Sequence, residues 1–338
     1  MTLPRSTYRM MKTILLLCLS AALLCGCGED TRRLPASKGA PSELLLVVDR
    51  AVWQSDVADT LRRITKGDVP GLMQHEDYYR TTRVFAERLQ RRYTTMHSKL
   101  YVRVNDSLHS PRMGVACDVY AAPQIEVLVE APDLASLRRF LSSRAGSIRD
   151  AIDDFQLEAR GEALRRSHSR KMYADLRKHL GLAVYAPSGI AATKFGKDFF
   201  WGGSNLNEKD QNIVVYTFPW ESADMPDMSA CLRKRDSVMM ENIPGSRPDQ
   251  WMETVREDGV PVAEGRLRRT GGEEVMEIRG LWQMRNGALG GPFVSQARLD
   301  TAARTVTVAE GFVYSPGTDK RELLRELEAA LRTLHKAE

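Results

Sequence analysis

Apolar and polar positions alternate along this chain in blocks whose periods name the elements. Leu44–Val48, bounded by Pro41 and Asp49, is a short unbroken apolar run of the length of a buried strand. Val57, Leu61 and Ile64 share one helical face over 56–64, and Val84, Phe85 and Leu89 predict a second helix over 82–92. Residues 100–104, 114–120 and 124–130 read as strands, and Asp133 caps a helix carrying Leu134, Leu137, Phe140 and Leu141. The order β-α-α-β-β-β-α predicts an α+β domain over 42–146.

A long charged helical stretch follows over 147–180, divided near Gly161 and closed by Gly181. It is expected to join this domain to a second one over 181–338. There, residues 182–186, 194–201 and 212–218 read as strands and 227–241 as a helix. Four strands then follow at 262–269, 274–284, 291–299 and 304–314. Turns at Gly271-Gly272, Asn286-Gly287 and 300–303 separate them, which is the signature of an antiparallel meander. Asp319 with Glu322 predicts a capping box for a last helix, striped by Leu323, Leu324, Leu327, Leu331 and Leu334. The expected fold class is α+β: two sheet-and-helix domains joined by a long charged helix, the second containing the meander.

The first residues follow a different pattern. Arg5, Arg9 and Lys12 precede an apolar run over 14–24, too short for a membrane span, and small residues follow. Residues 1–26 therefore read as a secretory signal peptide. Leu24, Gly26 and Cys27 resemble the lipobox of bacterial lipoproteins. That resemblance implies cleavage before Cys27, its lipidation by diacylglycerol and an N-acyl chain such as palmitate, and a membrane-anchored product. Gly28 rather than Asp after the cysteine implies the outer membrane, on its periplasmic or cell-surface face. Residues 27–41 lack an apolar period and read as a tether reaching at most about 45 Å.

Composition changes the picture little. The 338 residues are 43% hydrophobic and 28% charged, which suits globular domains. Net charge is +5, but three of those charges lie in the signal, so the basic balance is no argument for nucleic acid. After processing, Cys117 and Cys231 remain, and the sequence leaves a bridge between them open.

The second region carries more specific motifs. Gly280-Leu-Trp282, Gly290-Gly-Pro-Phe-Val-Ser295, Glu310-Gly-Phe-Val-Tyr314 and Lys320-Arg321 resemble an uncharacterised family of envelope lipoproteins known only as a domain of unknown function. Pro70-Gly71, Ala122-Pro123-Gln124, Tyr216-Thr217 and Lys234-Arg-Asp-Ser237 fit as well. The resemblance implies a shared fold and a lipid anchor, and no activity. The order of elements over 181–338 also resembles the PsbP/Mog1-type sandwich, an analogy of fold alone.

Motifs for a nucleophile elbow, a zinc helix, a Walker loop and a dinucleotide fingerprint are missing from the sequence. The six histidines read as exposed surface residues without metal-ligand spacing. Residues 138–178 carry eleven Arg/Lys against six Asp/Glu, which reads as a solvated helix face or a contact for anionic lipid or polysaccharide. Trp201, Trp282 and Phe293 read as core residues, or else as the lining of a ligand pocket where glycan or lipid would stack. The expected function is that of a non-enzymatic envelope binding or assembly factor. The alternatives are a carrier of a small apolar or glycan ligand and a hydrolase of envelope material. The expectation includes no catalytic residue, metal or cofactor, a membrane partner through the anchor, an envelope protein, glycan or lipid partner, and no nucleic acid.

Overall fold

The computed structural model describes residues 34–337, so the expected signal peptide over 1–26 and the expected lipidation site Cys27 lie outside the described residues. Residues 36–338 form one compact unit. Its first sheet is built from β1 (Glu43–Val48), β2 (Arg80–Phe85), β3 (Ser98–Val104), β4 (Arg112–Cys117) and β5 (Ile125–Ala131), in the order β2-β1-β3-β5-β4. All neighbours are parallel except β4 with β5. The apolar run in β1 is fully buried because it lies inside the sheet with both edges paired.

Two sequence expectations fail in this half. Residues 82–92 are not a helix: β2 pairs with β1 from Glu43↔Arg80 to Val48↔Phe85, and short 3₁₀ turns follow. Three apolar residues at helical spacing are weak evidence, and here the unsatisfied edge of β1 decides the outcome. Arg83 also favours the extended form, lying 4.2 Å over Trp53 and 4.8 Å over Phe85. The fourth strand stops at Cys117 instead of running to Tyr120, where Asp118 takes a positive φ.

Two short helices, α1 (Arg50–Trp53) and α2 (Val57–Lys66), follow β1. The long helix α3 spans Leu134–Arg166 without a break, so Gly161 does not divide it. Asp133 caps it, accepting from Ser136 N at 2.8 Å. Leu137, Leu141, Ile148 and Ile152 complete the core under the first sheet, whereas Leu157 and Leu164 enter the core of the second half. Each such buried side chain contributes about 1.5–3 kcal/mol. One helix thus contributes to both cores, and the connecting helix expected over 147–180 with a division near Gly161 is instead the second half of α3 and a separate helix. The break falls at Ser167–Ser169, and Ser169 caps a separate α4 (Arg170–Leu180) by accepting from Met172 N at 3.2 Å. Gly161 is buried against Thr333, and an added Cβ would meet its methyl at 3.5 Å, an ordinary packing distance.

The second half contains β6 (Leu182–Ala183), β7 (Ala192–Gly196), β8 (Phe199–Gly203), β9 (Asp210–Pro219) and α5 (Met228–Asn242). β10 (Met252–Thr254) and a small ribbon of β11 (Arg256–Glu257) with β12 (Val260–Pro261) follow. The meander is β13 (Ala263–Thr270), β14 (Glu273–Met284), β15 (Gly290–Asp300) and β16 (Thr305–Tyr314), then α6 (Arg321–Leu331) and β17 (His335–Lys336). The expected strand over 194–201 is a hairpin, β7 with β8. The meander forms as read, and β9, β8 and β7 extend it beyond β16. Both faces of this sheet are covered. Val214, Tyr216 and Phe218 pack on the α5 side, and Ile213, Val215 and Val313 on the α4 and α6 side.

The capping box predicted for the last helix does not form. Glu322 pairs with Arg160 at 2.9 Å, and Lys320, the N-cap residue, makes no side-chain cap bond. Glu76 supplies the cap from the first half. Its two oxygens accept from Lys320 N at 2.8 Å and Arg321 N at 2.9 Å. A carboxylate on the first N–H groups of a helix satisfies orphan donors and complements the helix dipole.

Candidate functional site

The motifs over 234–237, 280–282, 290–295 and 310–314 converge on one cluster beneath α5. Buried positions Cys231, Leu232, Arg235, Val238 and Met239 turn one face of α5 onto the sheet. Arg235 and Glu310 are 1% and 0% exposed. Arg235 Nε donates to both Glu310 oxygens at 3.0 and 2.9 Å, and Nη2 donates to Oε1 at 2.8 Å. Nη1 donates to Thr254 Oγ1 at 3.1 Å, whose hydroxyl donates to Asp236 at 2.6 Å. The guanidinium also lies 4.0 Å over the Phe293 ring.

Burial pushes the Glu310 carboxyl up, against the pull of Arg235. Burial alone would lower Arg235, but the charge and hydrogen bonds of Glu310 together with the Asp236 charge hold the guanidinium above its ordinary value. The three short contacts identify a charged pair.

Trp282 and Phe293, 3% and 0% exposed, are brought together in this closed interior. Trp282 Nε1 donates to Val313 O at 3.3 Å. Trp201 is half-buried and donates to Asn212 at 3.0 Å. A Cβ on Gly291 would lie 2.0 Å from Val313 O, so this glycine admits the neighbouring strand rather than a ligand. The cluster fastens helix to sheet and offers no opening to solvent at these residues.

A second buried network joins the halves. Asp153 on α3 accepts from Tyr78 at 2.6 Å, Tyr79 at 2.9 Å and Arg325 at 2.9 Å. Gln156 accepts from Arg325 at 3.2 Å and donates to Ser98 at 2.9 Å. Burial first, then Asp153, pushes the Tyr78 phenol well above its usual range and Tyr79 likewise.

Glu328 sits 2.5 Å from Arg279 and 3.6 Å from Arg332. Burial would raise its carboxyl, but Arg279, Arg332 and Arg325 hold it down at about 2 against an ordinary 4.5. A carboxyl with a depressed folded pKa contributes stability that is fully present above its unfolded value and lost as pH falls towards the folded one. Stability of the wild-type protein should therefore decline between pH 4.5 and 2, and Glu328→Gln should make that decline shallower. Urea midpoints measured across this range check the difference, and equal slopes would refute the assignment.

The histidines are more engaged than the sequence suggests. His75 pairs with Asp68 and lies 3.4 Å from Asp77, which together raise its pKa, Asp68 contributing most. Burial lowers His97. His168 and His335 pack on Tyr185 at 4.9 and 5.4 Å, and His179 stacks on Phe195 at 3.5 Å. Among the described residues no group of His, Cys, Asp and Glu has the makings of a metal site. Cys117 is exposed and Cys231 buried, both free. Much of the basic run over 138–178 is neutralised within the protein, as in Arg138–Asp56 at 3.0 Å and Lys171–Asp175 at 2.6 Å.

The second half carries an open groove of about 920 Å³ beyond the C-terminal end of α6. Thr217, Thr305 and Thr307 line it from the sheet, and Leu180, Leu182, Leu334 and Met225 from surrounding segments. Asp224, Glu273, Glu274, Asp300, Arg298 and Lys336 add charge. Arg298 is partly closed off, donating to Gln296 at 2.9 Å and Leu331 O at 3.2 Å, and burial, reinforced by Arg332, lowers it to about 10. None of Trp201, Trp282 and Phe293 lines this groove. Sequence reasoning missed it because its residues come from six separate segments.

Comparison with known proteins follows the same division. Residues 37–165 match the family model described as Domain of unknown function (DUF8532), and residues 169–333 match Domain of unknown function (DUF4837). The two ranges meet at the break between α3 and α4. No curated protein matches the chain. Among solved structures, similarity is found to a point mutant of the protein Mog1, with TM-score 0.29 and 11% identity over 47% of this chain and 92% of that one. The Saccharomyces cerevisiae Ran-binding protein Mog1p gives TM-score 0.29 and 11% identity over 47% and 91%. A Bacteroides thetaiotaomicron protein gives TM-score 0.26 and 13% identity over 46% and 45%. Similarity at this level carries no argument about function.

Proposed function

We propose that this chain is a cell-envelope lipoprotein, anchored through Cys27 to the outer membrane, that binds a partner without chemical turnover. The groove of about 920 Å³ is its binding site, and the lining of that groove carries the reading. Threonine hydroxyls and carboxylates beside leucine walls suit recognition of a polar surface with apolar side groups. Two of the buried charge clusters, Arg235–Glu310 and Arg325–Asp153, are closed ion pairs away from the groove. The groove's volume, within the range of small-ligand sites, favours carriage of a small ligand as the second reading.

Crosslinking and pull-down from native membranes test the function. Wild-type protein should recover a defined envelope partner, Thr307→Trp should lose it by filling the groove, and Cys27→Ser should lose it by removing the anchor. Recovery unchanged by Thr307→Trp would reject the groove. Normal maturation in the presence of globomycin would reject the anchor.

A further inference from the structure

The chain joins the described fold beside two loops of the first sheet. Ala36 pairs in parallel with Ala122 and Lys38 with Met96. Lys38 N donates to Thr95 O at 2.8 Å, and His97 N donates to Lys38 O at 2.7 Å. Gln124, fully buried, ties the loops together. Its Nε2 donates to Thr94 O at 2.7 Å and Met96 O at 2.8 Å, and its Oε1 accepts from Tyr120 N at 3.0 Å.

This rim is basic, aromatic and apolar. Lys38, Arg91 and Arg92 are exposed, and Arg92 lies 4.8 Å over the Tyr93 ring. Tyr120 is 50% and Val119 42% exposed. The neighbouring carboxylates are engaged within the protein. Glu126 pairs with Lys99 at 2.5 Å, Glu43 accepts from Ala40 N at 2.8 Å, and Asp118 accepts from Gln124 N at 2.8 Å. Cationic side chains around aromatic and aliphatic ones match the boundary between headgroups and acyl chains of a bilayer.

We propose that this rim docks on the anionic phospholipid headgroups of the leaflet that holds the Cys27 anchor. The proposal rests on the anchor assigned above. Ala36 is nine residues beyond Cys27, a span of at most about 32 Å. The tether therefore keeps this end of the first sheet near the membrane surface, and the rim supplies the second, electrostatic attachment. The groove belongs to the other half of the chain and is left for a partner.

The full chain carrying Cys27→Ser, co-sedimented with phosphatidylglycerol or phosphatidylcholine vesicles, tests docking without any lipid anchor. Binding common to both vesicles belongs to the apolar leader, the excess on phosphatidylglycerol left in the triple variant Lys38→Glu/Arg91→Glu/Arg92→Glu belongs to the leader's Arg5, Arg9 and Lys12, and the excess above that baseline measures the rim. That excess should fall about tenfold in Arg91→Glu/Arg92→Glu and severalfold in Lys38→Glu, and it should vanish at about 0.5 M salt. No excess, or an excess that both charge reversals leave intact, overturns the proposal. Lipidation is read separately from the mass of the Cys27 peptide in native membranes. An unmodified thiol there refutes the anchor without affecting the vesicle result.

Discussion

Glu310→Gln is expected to destabilise the protein by about 3 kcal/mol, because it leaves the Arg235 guanidinium buried without its principal counter-charge. Arg235 makes three contacts to Glu310 at 2.8–3.0 Å, and Glu310 is fully buried. What remains is the Thr254 hydroxyl, which accepts a hydrogen bond but carries no charge, and the partly exposed Asp236 carboxylate at 3.4 Å. The double replacement Arg235→Met/Glu310→Leu should cost less than Glu310→Gln alone, since it removes both charges and keeps the volume filled. Urea unfolding followed by tryptophan fluorescence makes the comparison. With Arg235→Met and Glu310→Leu made singly as well, losses that add up to that of the double would show that the residues do not act as a pair.

Asp153→Ala is the second large effect, about 3–5 kcal/mol, for it strips two tyrosine hydroxyls and Arg325 of their shared acceptor. Its consequence should be local as well as global. Asp153 ties α3 to α6, and the chain between the halves is the short break at Ser167–Ser169. With the tie removed, native-state trypsin should cut at Arg165, Arg166 or Arg170, releasing fragments that separate near residue 167. Wild-type protein should resist under the same conditions. Equal resistance of the variant would mean that apolar contacts of α3 and α6 suffice to hold the halves.

The two substitutions expose a shared property of the fold. Its charged interior is organised around a few carboxylates, each surrounded by donors from distant segments. Asp153 gathers residues 78, 79 and 325, and Glu76 reaches residues 320 and 321. No local period announces such partners. Nothing in the sequence singles out Tyr78, Asp153 or Arg325 before the halves are packed together.

The motifs behaved differently. Arg235, Trp282, Phe293 and Glu310 stood out in the sequence, and the fold gathers them under α5. What the sequence left open was whether they line a pocket or fill a core. Their burial settles where they sit: Trp282 and Phe293 face the closed interior, and the groove lies elsewhere.

The sequence by itself determined the α+β class, the meander, and the two helices read over 56–64 and 227–241, which span 57–66 and 228–242 in the structure. Each of these rests on local periodicity, turn residues or a cap, all of which act within a few positions. Only the tertiary structure decided that residues 80–85 form a strand, that α3 runs unbroken through Gly161, and that Glu76 rather than Asp319 or Glu322 caps α6. Those outcomes depend on backbone edges, packing space and orphan helix donors, and the atoms that satisfy them lie as far away as 245 positions in the chain.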